Sequence, residues 1–165
     1  MNVEIEHTFA APLERVMAMF ADPDFVRARS EGAGARNVEV VVDGEPGANF
    51  TVAVRRTMPT ASVPQEFRGL VGDSLAVRYS EAWEEPDDDM RDGTFAVEIV
   101  GVPARASGTL ALVGRDAHTA LSVEGVVKTT MPLLAGLIEK AIADALNSVL
   151  TSELQTADEW LAAKQ

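Results

Sequence analysis

The stretch PLLAGLIEKAIADALNSVLTSELQTADEWLAAK, residues 132–164, decides the architecture. Its apolar residues are Leu134, Leu137, Ile138, Ala141, Ile142, Ala145, Leu146, Val149, Leu150, Leu154, Ala157, Trp160 and Leu161, spaced as one wide helical stripe. Glu139, Lys140, Asp144, Asn147, Thr151, Gln155 and Asp158 fill the other arc. The pattern predicts a helix of about 30 residues, roughly 45 Å long, with one face that must be covered by something else.

The rest of the chain supplies a sheet to cover it. Residues 2–9 alternate, with Val3, Ile5, His7 and Phe9 on one face and Asn2, Glu4, Glu6 and Thr8 on the other, the period-2 signature of a half-buried strand. Pro12 then suits a first helical turn, and Leu13, Val16, Met17 and Phe20 form a helix face. A second short helix follows, with Asp22 as N-cap, Pro23 at its first position, and Gly32 and Gly34 at its end.

From about residue 36 to 128 alternation returns, punctuated by turn clusters such as Asp43-Gly44-Glu45-Pro46-Gly47 and Gly114-Arg115-Asp116, and it predicts six further strands. Their apolar positions include Val38, Val40 and Val42; Phe50, Val52 and Val54; Leu75 and Val77; Phe95, Val97 and Ile99; Leu110 and Leu112; and Leu121, Val123 and Val127. Short connections make this a meander. The 59–73 connection is longer, holds two prolines and two glycines with a helical turn near 65–70, and is placed across a mouth of the sheet. The fold class is therefore α+β: a seven-stranded curved antiparallel sheet in the order β-α-α-β6-α, wrapped around the long C-terminal helix as a single domain over 1–165.

Composition narrows the partners. Fourteen basic against 26 acidic residues give a net charge of -12, which repels phosphate backbones and anionic headgroups, so nucleic acid is not an expected partner. No apolar run approaches the roughly 18–20 residues that span a bilayer, so stable membrane insertion is not expected. The opening MNVEIEHTF has neither a basic nor an apolar signal region, and the expected compartment is the cytoplasm. Cysteine is absent and the two histidines are far apart, so no metal site is expected. The acidic run 84–89 places Met90 and Ile99 where a calcium loop needs oxygen ligands. Glu31-Gly32-Ala33-Gly34 lacks the third glycine of a dinucleotide fingerprint, and no cofactor is implied. Monomer and self-associated states are both compatible with the sequence.

The order of elements resembles the START-like, or SRPBCC, superfamily with its helix-grip fold. More narrowly the chain is similar to an actinobacterial family of unknown function, DUF2505. The resemblance rests on FAAPLERVMAMF (9–20), LSVEGVV (121–127), and MPLLAGLIE (131–139) leading to Glu159-Trp160-Leu161, and it covers nearly the whole chain. It implies a cavity between sheet and helix that takes a hydrophobic or amphipathic small molecule or a lipid.

Strand parity places His7, Arg56, Tyr79, Glu81 and Trp83 on the inner face, among apolar walls such as Phe95, Leu134 and Ile138, and these eight are the candidate cavity-lining residues. Arg56 and Glu81 flank the 59–73 connection and are expected to pair across it, because either charge buried alone costs several kcal/mol, roughly. No catalytic residue is assigned. An alternative, a cyclase- or hydratase-type enzyme, would use His7, Tyr79 or Glu81 as acid and base and needs two of them to converge on one ligand atom. A third reading, a protein-interaction module, would dock a partner on exposed apolar surface of the long helix or of the 59–73 connection.

Overall fold

The computed structural model describes residues 1–60, 63 and 65–164, with 66, 67 and 70 described in backbone only. The chain runs β1 (Asn2–Phe9), α1 (Leu13–Phe20), α2 (Pro23–Gly32), β2 (Arg36–Gly44), β3 (Phe50–Pro59), α3 (Gln65–Val71), β4 (Ser74–Trp83), β5 (Met90–Ile99), β6 (Ala104–Arg115), β7 (His118–Thr129) and α4 (Ala135–Ala163). The strands form one antiparallel sheet in the order β1-β7-β6-β5-β4-β3-β2. Strands β2 to β7 are a meander, while α1 and α2 carry the chain from β1 at one edge to β2 at the other. The helical turn expected near 65–70 is α3, and Pro64 of that connection lies outside the described residues.

Alternation sets the inner face. On β3, Phe50, Val52, Val54 and Arg56 are buried while Thr51, Ala53 and Arg55 are exposed. On β4, Val77, Tyr79, Glu81 and Trp83 point inward in the same way. The register stays unbroken along β3–β4, so the parity of the sequence carries directly into the fold. Arg91 also obeys it: it is buried on β5, lies over the Phe50 ring, and donates from Nη1 to the Pro46 carbonyl at 2.7 Å and from Nη2 to the Ala48 carbonyl at 2.8 Å, which pins the β2–β3 turn.

Helix α2 begins as its cap residues dictate, with Asp22 Oδ1 accepting from the Asp24 N–H at 2.9 Å and Pro23 following. Its inward face is Phe25, Val26, Arg29 and Ser30. It leans on α4 closely enough that a Cβ on Gly32 would sit 2.9 Å from Thr156 Oγ1, and Ser152 Oγ donates to the Gly32 carbonyl at 3.2 Å. Helix α4 starts at Ala135 rather than 132, with Leu134 at its N-cap and no side chain capping it. Among the described residues, no helix is long and apolar enough to cross a membrane.

Candidate functional site

Between the sheet and α4 lies a cavity of about 300 Å³. Its walls are aliphatic side chains of β3, β4 and β5, such as Met58, Val77 and Val97, and the inward stripe of α4 from Ile138 to Leu150. Connections border it at one end, with Val63 and Val71 around α3, Val102 and Pro103 from the β5–β6 turn, and Met131 ahead of α4. Among the described residues that line it, only Arg56 and Glu153 carry charge. A second, smaller space of about 30 Å³ lies deeper, lined among others by Phe20, Phe25, Arg29, Glu81 and Trp83. Tyr79, Leu150 and Glu153 border both spaces.

The partition between the two spaces is a charged network. Glu81 accepts three hydrogen bonds: from Arg29 Nη2 at 2.8 Å and the Tyr79 hydroxyl at 2.6 Å on Oε1, and from Trp83 Nε1 at 3.0 Å on Oε2. Arg56 gives Nη1 hydrogens to Glu153 Oε1 at 2.7 Å and to Ser30 Oγ at 3.2 Å, and Ser30 in turn donates to the Val26 carbonyl at 2.8 Å. Both guanidinium groups sit over the Tyr79 ring, at 5.7 Å for Arg29 and 5.9 Å for Arg56. All four charged side chains are at most 7% exposed. Burial alone would lower the Arg29 pKa, but Glu81 first and then Glu153 hold it above its ordinary value. Burial first, and then the negative Glu81 beside it, push the Tyr79 hydroxyl well above its ordinary value, so it stays a donor.

Among the described residues two buried polar side-chain atoms lack a partner, Arg91 Nε beneath the β2–β3 turn and one in this network. Arg56 Nε is buried and has no hydrogen-bond partner, a condition that costs about 1–3 kcal/mol for a buried donor. It belongs to a residue that lines the larger cavity.

The expected Arg56–Glu81 pair does not form, and the reason is register. Val52 faces Glu81 and Val77 faces Arg56, so the two charges stand four residues apart along the hairpin, about 13 Å at strand rise. Each instead takes its counter-ion from a helix: Arg29 of α2 for Glu81 and Glu153 of α4 for Arg56. Arg29 and Glu153 were not among the candidate residues, although both carry a signal. Arg29 stands four after Phe25 and three after Val26, and Glu153 stands three after Leu150 and four before Ala157, so each is a charge on an apolar helix stripe.

Of the eight candidates, Arg56, Tyr79 and Ile138 line the larger cavity, and Tyr79, Glu81 and Trp83 the smaller. The other three stand apart from both. His7 is on the inner face of β1 but is part exposed, with Nε2 2.9 Å from Asp158 Oδ1 and its ring edge-on to Phe9 at 4.8 Å. Phe95 is buried with its ring over Gly125, where a Cβ would stand 2.8 Å from its Cζ. Leu134 is 37% exposed just before α4. Among the described residues, no three His, Cys, Asp or Glu side chains are grouped to hold a metal ion.

Comparison with known proteins places this geometry. A crystal structure of a Thermus thermophilus protein superimposes with a TM-score of 0.67 at 21% identity, covering 100% of this chain and 99% of its own. The Zhui aromatase/cyclase of a Streptomyces species superimposes at 0.60 and 16% identity, over 94% and 90% of the two chains. The fold is thus the helix grip. In sequence, a Mycobacterium tuberculosis protein described as uncharacterised is 20% identical over 167 residues, 97% of this chain and 96% of its own length. From residue 4 to residue 161 the sequence matches the family of proteins of unknown function DUF2505, and the chain belongs to that family.

Proposed function

We propose that this protein binds a hydrophobic or amphipathic small molecule, a lipid fragment included, in the cavity between the sheet and α4. The observation that carries the reading is the cavity itself: about 300 Å³, the lower end of the ligand-pocket range of about 300–1,000 Å³, with aliphatic walls and one polar end at Arg56 and Glu153. Cores are normally packed without such a space, because lost dispersion contacts are costly, and a ligand would restore them.

The cyclase reading, which the fold shared with an aromatase/cyclase brings to mind, has less support. It needs a free acid and a free base at one point. Tyr79 already donates to Glu81, whose carboxylate is also held by Arg29 and Trp83, and His7 turns to Asp158 outside the cavity.

Two measurements test the binding reading. Native mass spectrometry and solvent extraction of freshly purified protein are expected to show an apolar compound, and the neutral fluorophore N-phenyl-1-naphthylamine is expected to bind one per chain. Ala145→Phe, which projects a ring into the cavity wall, should abolish probe binding in a protein that still folds. Absence of saturable probe binding to the wild-type chain, with nothing extracted, would overturn the reading.

A further inference from the structure

The chemistry of the ligand's head is legible in the polar end of the cavity. Arg56 spends both hydrogen bonds from Nη1, and its buried Nε has none. Glu153 lines the same end and uses Oε1 for Arg56. Nε itself is closed off, but Arg56 Nη2 also makes no hydrogen bond, so a ligand oxygen brought to this end would meet a guanidinium with a donor to spare. Donors alone would also suit a carboxylate, so charge has to decide.

The charges are already balanced. The buried network holds two cations, Arg29 and Arg56, against two anions, Glu81 and Glu153, paired at 2.8 and 2.7 Å. No other charged side chain lines the cavity among the described residues. A ligand carboxylate would add a third anion in a space of low polarity with no cation left for it, the arrangement that burial penalises most. The net charge of -12 on the whole chain adds to the repulsion. An uncharged oxygen leaves the balance intact, and a hydroxyl can also donate to Glu153.

We propose, building on the binding function above, that the ligand is an uncharged, hydrocarbon-rich molecule with a hydroxyl or carbonyl head held against Arg56 and Glu153, and not a fatty-acid anion. The aliphatic walls hold its hydrocarbon part, and the charged network that closes the cavity reads its oxygen. Selectivity then comes from the pairing of Arg56 with Glu153: the glutamate cancels the arginine charge that would otherwise attract an acid, while leaving donors of the guanidinium in place.

The experiment is displacement of N-phenyl-1-naphthylamine from the full chain at pH 8 by four ten-carbon ligands: decane, decan-1-ol, decan-2-one and decanoate. The alcohol and ketone are expected to displace the probe at about tenfold lower concentration than decanoate, consistent with a retained hydrogen bond to a charged donor. They should also do no worse than decane, although the alkane is the more hydrophobic. In Glu153→Gln, checked for folding by circular dichroism, the buried set gains a net positive charge, and decanoate should overtake the alcohol. In Arg56→Lys, which keeps the charge and removes the second arm of the guanidinium fork, the alcohol and ketone should lose about tenfold while decane is unchanged. Decanoate binding the wild type as tightly as decanol, or decane displacing better than both oxygenated ligands, would overturn this inference and leave the cavity reading standing. If the probe binds nowhere and none of the four ligands binds, both fall together.

Discussion

The space between the sheet and α4 is built differently at its two ends. Beside α1 and α2 rings fill all but about 30 Å³ of it: Phe20 lies 6.0 Å from Phe9, 6.1 Å from Phe25 and 5.5 Å from Trp83, and Phe25 lies 5.6 Å from Trp160. Beside α3 the walls are Val, Ile, Leu, Ala and Met, and a cavity of about 300 Å³ is left. The sheet and α4 are common to both ends, so the difference comes from what plugs them. Two helices insert Met17, Phe20, Phe25 and Val26 into the first end, whereas the seven-residue α3 is the corresponding element at the second. The charged network stands where the two meet, and Tyr79, Leu150 and Glu153 touch both spaces. Hollow and filled halves can coexist in one core because hydrogen-bonded charges resist the collapse that would let one flow into the other.

The most severe way to break the contrast is to break the partition. Arg29→Met leaves the Glu81 carboxylate buried without its cation and should cost about 3–5 kcal/mol in urea unfolding, with Arg29→Met/Glu81→Leu recovering much of the loss. If the single substitution costs nothing, the network is not the partition.

The two ends should then answer truncation differently. Phe25→Ala in the filled half is expected to cost about 3–5 kcal/mol, because it opens a new hole among rings. Ile142→Ala in the hollow half should cost about 2 kcal/mol or less, since that side chain already faces a void and forfeits fewer contacts. Equal losses in matched unfolding curves would mean that the cavity closes in solution.

Tyr79 sharpens the boundary spectroscopically, because it is the sole tyrosine of the chain. Its folded pKa is raised, so the unfolded chain releases this proton first, near pH 10, and the folded state is disfavoured as pH climbs beyond that. Tyrosinate absorbance of the native protein should therefore appear well above pH 10, while the denatured chain titrates near it. The Tyr79 contribution to stability should be level below that pH and fall above it. Tyr79→Phe should flatten the alkaline decline at a cost of about 1.5–3 kcal/mol for the lost bond to Glu81. Titration of the native tyrosine at its ordinary value would mean that the network is open to solvent.

The smallest effect belongs to a residue that shares the inner face but neither space. His7→Ala should change stability by about 1 kcal/mol or less and leave probe binding untouched, since its pair with Asp158 is part exposed. Loss of probe binding in that variant would extend the site to β1.

Much of this was legible in the chain. Alternation on β3 and β4 placed Arg56, Tyr79, Glu81 and Trp83 inward, and the 132–164 stripe announced α4 and the face it buries. Asp22-Pro23 marked the start of α2 to the residue. The pairing was not legible. Glu81 and Arg56 look like partners on one hairpin, yet strand register holds them four residues apart, and the true partners come from positions 52 and 97 residues away in sequence. Arg29 and Glu153 could be noticed as charges on apolar stripes, but a stripe does not say which strand residue it will meet.

Sequence by itself determined the elements, their inward faces and the family, because period, caps and turns are local properties that survive without tertiary contacts. Tertiary structure alone decided which buried arginine meets which glutamate, that Arg56 keeps a donor unspent, and that one end of the core is hollow. Those outcomes depend on how far α2, α3 and α4 reach over the sheet, and reach is a three-dimensional sum of helix length, crossing and side-chain volume that no local pattern encodes.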